Sequence, residues 1–353
     1  MQQERKMNDA ILSLTADQIL LIENDRPDKL FSIDDITIQY RLLASKWHPD
    51  KNVYDTTSVF TKIKNLKEKA LDQLGRGEWR GPNTLVYTTP DKRKFKFSYK
   101  VMRPFDIGKM YIGKTKIMYF IDDNFSDLFD NAISTIKKIE YPDQKFKDQF
   151  CPIMPNIIFQ CKSCIMGDIG HILIIEKSED VFLLQDVIDY LGGKVPPKHV
   201  AWMISSMMNA QCFLNMNRIN FNAILADNIF VSPKHHTICW YGGWWYAAEK
   251  NSKLKALPRQ LVNILPPALL IDKLSKTEHN IQSIFSLGLY LLGDITSTGS
   301  KFLNDPDIPK ELADHLKNCP SNDSIREYER WINLLERIWG PRKFLELNIP
   351  NLY

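Results

Sequence analysis

No run of eighteen or more apolar residues occurs in this sequence, and Met1 to Lys6 lead into no apolar signal core. A soluble, unsecreted, cytoplasmic protein without a membrane role is therefore expected. An excess of one charge is also missing. Forty-six Lys and Arg stand against 42 Asp and Glu, a net charge of +4. A nucleic-acid binder would more usually carry a concentrated basic face, so nucleic acid is not an expected partner. Cysteine is sparse, six in 353 residues. The one close pair is Cys161 and Cys164, with Cys151 ahead of them and His171 within reach. A zinc site needs a second pair or a matching Cys/His partner. Reduced, partly buried thiols are the better expectation, with no metal and no cofactor. There is no low-complexity tract and no internal repeat.

What is present is the composition of a globular chain, 44% hydrophobic and 25% charged, long enough for one large core or two to three smaller ones. Residues 1 to 80 read as helical. An amphipathic lead-in covers 8 to 24, and Ser32-Ile-Asp-Asp35 has the form of a capping-box start. Ile36, Tyr40, Leu43 and Trp47 follow at helical spacing and predict one buried stripe. Pro49 ends that helix. A second helix from Thr56 or Thr57 presents Phe60, Ile63, Ala70 and Leu74 before Gly75. Two such helices joined by a short loop pack as an antiparallel hairpin.

Beyond Gly75 the pattern changes. Short β-rich runs fill 84–88, 94–101, 110–112 and 116–121, and a helix fits 125–139. Strands at 157–160 and 171–176 follow, then helices at 184–191 and 198–216, a small hairpin around 228–241, and helices after 278, including 310–317 and 322–338. The helix from Lys198 to Met216 is apolar nearly all round and belongs inside a domain. A β-rich half followed by a helix-rich half predicts an α+β protein. Its expected parts are a lead-in at 1–25, a helical hairpin module at 26–80, a β-rich lobe at 81–180 and a helical lobe at 181–353.

Tyr40-Arg-Leu-Leu-Ala-Ser-Lys-Trp-His-Pro-Asp-Lys-Asn52 resembles the second helix and loop of J domains, and the helix after it resembles their third. The resemblance covers about residues 26 to 76. It implies a co-chaperone that docks on a DnaK-type heat-shock ATPase through His48, Pro49 and Asp50, with Arg41, Lys46 and Lys51 supplying positive charge at the same edge. The usual opening of the first J helix is missing, and Pro27-Asp-Lys-Leu-Phe31 stands in its place.

Phe221-Asn-Ala-Ile-Leu-Ala-Asp-Asn-Ile-Phe-Val231 resembles the catalytic loop of protein kinases. Carried over position by position, the resemblance puts Ala223 where the catalytic aspartate belongs and Leu225 where a lysine belongs, and keeps Asn228 as the metal-binding asparagine. It also implies Gly242 or Gly243 at the magnesium ligand, Phe120 at the strand lysine, Ala132 at its helix glutamate, and Gly108 as the remnant of the phosphate-covering loop. Phosphoryl transfer by this fold needs those charged groups, so a catalytically dead kinase-like module is expected. Gly242-Gly-Trp-Trp-Tyr-Ala247, behind His235 and His236, resembles a group of phage-encoded proteins that join a J-like module to a kinase-like one. The partners so implied are a host DnaK-type chaperone and a client protein.

His235 and His236 are expected to form a hairpin turn, one packed and one solvated, and Trp240, Trp244 and Trp245 to pack in the core. Two other function classes stay open. One is a pseudokinase scaffold that binds a protein or nucleotide without chaperone activity. The other is a transferase working through Asp227 or Asp168.

Overall fold

The computed structural model describes residues 11–32, 35–76, 83–165, 168–265, 267, 271–297, 305–350 and 352–353. The chain divides into two compact units, Met1–Met102 and Arg103–Tyr353.

The described helices of the first unit include α1 (Ala16–Leu20), α2 (Ile36–Trp47) and α3 (Thr57–Arg76). Thr15 starts α1 through a reciprocal capping box with Gln18. In α3, Val59, Ile63, Leu66 and Ala70 recur at the spacing of one helix face. They meet Ile36 and Leu43 of α2, Ile19 and Ile22 of the lead-in, and Leu30 and Phe31 in one apolar core. The lead-in is thus part of this core. Residues Pro27–Lys29 form only a single 3-10 turn, and α3 packs on α1, further upstream, as well as on α2. Gln73 of α3 holds that turn by donating to the Asp25 carbonyl at 2.8 Å.

The expected capping role of Ser32 is not realised. Helix α2 begins at Ile36, and the Ser32 hydroxyl and amide pair with the buried Gln39 amide instead. A hairpin of β1 (Asn83–Thr88) and β2 (Lys94–Tyr99), antiparallel, completes the unit.

The second unit begins within β3 (Val101–Phe105) and continues through β4 (Gly108–Ile112) and β5 (Lys116–Asp122). Helix α4 (Ser126–Lys137) and the short α5 (Gln144–Phe150) follow, then the long pair β6 (Ile157–Ile165) and β7 (Asp168–Glu176). Within this unit the strand order is β6-β7-β5-β4-β3, and the pairs β6–β7, β7–β5 and β5–β4 are antiparallel. The strands at 157 and 171 run longer than their sequence pattern foretold, because Cys161 to Ile165 pair with Asp168 to Ile172 although their side chains alternate irregularly in polarity.

The helical half holds α6 (Leu184–Tyr190), α7 (Pro197–Met216), α8 (Arg259–Ile264), α9 (Thr277–Leu291), α10 (Lys310–Lys317) and α11 (Ser324–Trp339), with short strands β8 (Phe182–Leu183), β9 (Ile219–Asn220), β10 (Phe230–Ser232), β11 (Thr237–Cys239) and β12 (Ala248–Glu249) between them. Helix α7 is the axis, buried along most of its length as its composition requires. It packs on α9 and α11. Gly288 lets α9 approach closely, since a Cβ there would lie 2.6 Å from Ile204 Cδ1, and the Trp331 indole donates to Ser205 Oγ at 2.9 Å. No helix among the described residues is long and apolar enough to cross a membrane.

Candidate functional sites

In the first unit, α2 stops at Trp47 because His48 turns extended (ψ 128°) ahead of Pro49. Pro49–Lys51 make a 3-10 turn in which His48 Nδ1 accepts the Asp50 amide at 3.2 Å. The Asn52 side chain donates to the carbonyls of Lys46 and His48, both at 2.9 Å, and the His48 carbonyl also accepts the Lys51 amide at 3.0 Å. Thr56 Oγ1 donates to the Trp47 carbonyl at 2.9 Å, and Asp55 accepts the Thr57 amide to start α3. Phe60 lies one position off the core stripe of α3 and meets the His48 ring edge-on at 5.2 Å. The loop is therefore fixed at both ends and beneath its histidine.

What the His-Pro-Asp turn itself presents is polar. The His48 side chain is 39% exposed and that of Asp50 86%. Arg41 and Lys51 are also exposed. Lys46 is not a free cation of this edge: its ammonium donates to the carbonyls of Leu12 and Leu14 at 2.6 and 3.0 Å and so ties the lead-in to α2. The sequence reading missed Asn52 and Phe60 as loop supports. An amide four residues past a helix end and an aromatic one step off a core stripe were the available signals.

In the second unit, Ala223, Asn228, Gly242 and Gly243 come together. Asn228 Nδ2 donates to the Ala223 carbonyl at 3.1 Å, and the Gly242 amide donates to the Asn228 carbonyl at 3.0 Å. Gly243 has a left-handed backbone (φ +79°), and a Cβ there would lie 2.6 Å from the Cβ of Ala223. Leu225 turns aside to an apolar cluster with Leu261 and Leu265. Side chains alternate along β5, so only one of Tyr119 and Phe120 faces this group. It is Tyr119, whose hydroxyl would lie 3.0 Å from a Cβ on Gly242, while the Phe120 ring lies against Gly170 of β7. Tyr119, the neighbour of Phe120, is thus the β5 side chain that meets these glycines. Gly108 is no loop glycine either. It opens β4 opposite Ile121, where a Cβ would collide with the Phe120 carbonyl.

Aromatic rings fill the space beside these glycines. Trp245 stacks on Phe105 at 4.8 Å and meets Tyr119 edge-on at 5.2 Å. Burial pushes the Tyr119 phenol well above its ordinary pKa, and both Tyr119 and Trp245 are buried. Ala132 is buried in α4, and its neighbour Asn131 makes the link to the turn after Gly243, donating to the carbonyls of Trp245 and Ala247 at 3.1 and 2.8 Å. No member of the set Tyr119, Ala223, Asn228, Gly242, Gly243 and Trp245 carries charge at neutral pH.

A cleft of about 410 Å³ borders the set, walled by Phe105, Asp106, Asp227, Asn228, Trp245 and Arg259 among others. Desolvation raises the Asp227 carboxyl, and Gln260 lies 3.5 Å from it. Asp168, at the head of β7, is not one of the cleft's walls and pairs with Lys109 at 3.8 Å. Far from α6 in sequence, Tyr353 packs at its start and closes a network that the sequence did not announce. Its hydroxyl accepts the Leu183 amide at 2.9 Å and donates to Asp186 at 2.5 Å, and Arg103 donates to the same carboxylate at 2.8 Å.

His235 and His236 stand at the turn between β10 and β11, His236 with φ +49°. His236 is packed between Trp202 (4.5 Å) and Phe344 (4.0 Å), while His235 is largely exposed. Trp240, Trp244 and Trp245 are core residues. Cys161 and Cys164 lie three apart on β6 and so point to opposite faces, while His171 sits 3.2 Å from Asp123. Among the described residues no group of three or more His, Cys, Asp or Glu is placed to hold a metal.

No protein-family profile matches the chain, and no curated protein does. Among solved structures it is similar to one described as the structure of vaccinia related kinase 3, at 16% identity and a TM-score of 0.49, over 72% of this chain and 91% of that one. A likeness of that extent carries no conclusion about activity, ligand or partner.

Proposed function

We propose that this protein is a co-chaperone. Its first unit recruits and stimulates a DnaK-type heat-shock ATPase through His48, Pro49 and Asp50, and its second unit is a non-catalytic, kinase-like module that holds a client or partner. The observation that carries this reading is the loop itself. Five side chains (His48, Asn52, Asp55, Thr56 and Phe60) fix its backbone, yet Asp50 and the face of His48 stay in solvent. Ordering a loop costs backbone entropy. Groups ordered but left exposed lower the cost of binding a partner, because that entropy is already spent.

The reading of the second unit rests on what lines its glycine-rich centre. Phosphoryl transfer needs carboxylates for magnesium, a base for the nucleophile and a cation on the phosphates. An alanine, an amide already committed to a backbone carbonyl, two glycines and a wall of aromatic rings supply none of these, and in the adjoining cleft Asp106 is taken up by the Arg259 amide while Asp227 faces Gln260. Tyr119 fills the place that a strand lysine would need. In the phage setting suggested by the sequence resemblance, the ATPase is the host's and the site of action is the host cytoplasm.

The test is a steady-state ATPase assay of a bacterial DnaK with the purified protein and with its His48→Gln variant. Stimulation by the wild type and none by a folded His48→Gln protein is expected. Equal stimulation by both overturns the reading. No stimulation by either gives precedence to a pseudokinase scaffold whose helical hairpin only docks.

A further inference from the structure

Between Asp50 and α3 the loop carries two apolar residues in full solvent, Val53 at 97% exposure and Tyr54 at 84%. No other large apolar side chain among the described residues is as exposed as either. Their exposure is built in. Asn52 anchors the chain just before them through two carbonyls, and Asp55 and Thr56 anchor it just after, so the backbone that carries both side chains is held in place. Apolar groups held in water by a fixed backbone gain free energy only from a partner. The charge around them is mixed, since Lys51 is exposed beside the equally exposed carboxylates of Asp50 and Asp55. An apolar pair within a polar, charged loop fits a partner surface with a shallow apolar depression and a polar rim.

We infer that Val53 and Tyr54 are an affinity anchor for the ATPase that the loop engages, seated in an apolar depression on its surface. This rests on the co-chaperone reading and divides the work within the loop. His48 and Asp50 act on the hydrolysis step, while Val53 and Tyr54 set how tightly the partner is held. A buried aromatic flanked by polar contacts is the common form of an interface hot spot.

The experiment is a titration of DnaK ATPase stimulation with the wild type, a Val53→Ser/Tyr54→Ser double variant, Tyr54→Phe and His48→Gln. Circular dichroism and thermal melting serve as fold controls. The double variant is expected to need about tenfold more protein for half-maximal stimulation while reaching the same maximum. Tyr54→Phe is expected to titrate like the wild type, and His48→Gln to lose the maximum. A double variant that titrates like the wild type, beside an inactive His48→Gln, overturns the anchor and leaves the co-chaperone reading standing. A wild type that never stimulates overturns both. If the double variant instead converts a self-associated protein to monomer in sedimentation, with an unchanged titration, the pair serves a second copy of this chain and the inference is wrong.

Discussion

At the scale of single residues, the loop and the glycine centre show two kinds of constraint. Asn52 donates to two carbonyls at once. Asn52→Ala takes a donor from the Lys46 carbonyl and leaves the His48 carbonyl with the Lys51 amide alone, and a loss of about 1 kcal/mol is expected from a net hydrogen-bond value of that order. Thermal or urea unfolding checks it, and the loosened loop should also stimulate less. At Gly243 the constraint is steric. The left-handed backbone and the 2.6 Å approach to the Ala223 Cβ both oppose a side chain, so Gly243→Ala is expected to cost roughly 1–3 kcal/mol in the same measurement. Much of this scale was readable beforehand. The His-Pro-Asp turn is written in the chain, because proline sets its own φ and ends the helix. Tyr119 was not readable, since a one-residue shift along a strand with apolar residues on both faces leaves no trace in the pattern.

At the scale of elements, the hairpin helices, α7 and the last two helices follow from period and end signals. Asp323, for example, caps α11 as an acceptor for the amides of Ile325 and Arg326. The start of α2 is different. Ser32 and Asp35 look like a cap in sequence, but the buried Gln39 captures Ser32 through two tertiary hydrogen bonds. The short α1 falls within the amphipathic lead-in read at 8–24, and its five residues are held by the core around Ile19 rather than by helix length. The segment that ends in Tyr353 has no regular structure and is held by contacts to residues about 170 positions away, which no local pattern reports. Tyr353→Phe removes the acceptor for the Leu183 amide and the donor to Asp186, so a destabilisation of about 1–3 kcal/mol is expected. Arg103 remains to hold Asp186, so the variant should stay folded, and protease susceptibility of the segment should rise.

At the scale of the whole molecule, burial depresses the pKa of His199, His236 and His315 below the ordinary histidine value. A histidine that stays neutral in the folded protein while the unfolded chain takes up a proton makes stability fall as pH drops through the unfolded value near 6.5. Unfolding temperature is therefore expected to decline between pH 7 and 5.5, before carboxylates begin to titrate, and a flat profile across that window would contradict this. The uncharged lining of the glycine centre sets a second expectation. Purified protein should transfer no phosphate from magnesium ATP to itself or to a protein substrate, and Asp227→Ala should change nothing. The central claim is that a fixed, exposed loop speeds ATP hydrolysis on another protein. Single-turnover hydrolysis by a preformed complex of bacterial DnaK with ATP measures that step directly, on addition of the wild type or of Asp50→Asn. The account predicts acceleration by the wild type and a near-basal rate with a correctly folded Asp50→Asn protein. Equal rates with both proteins would contradict it.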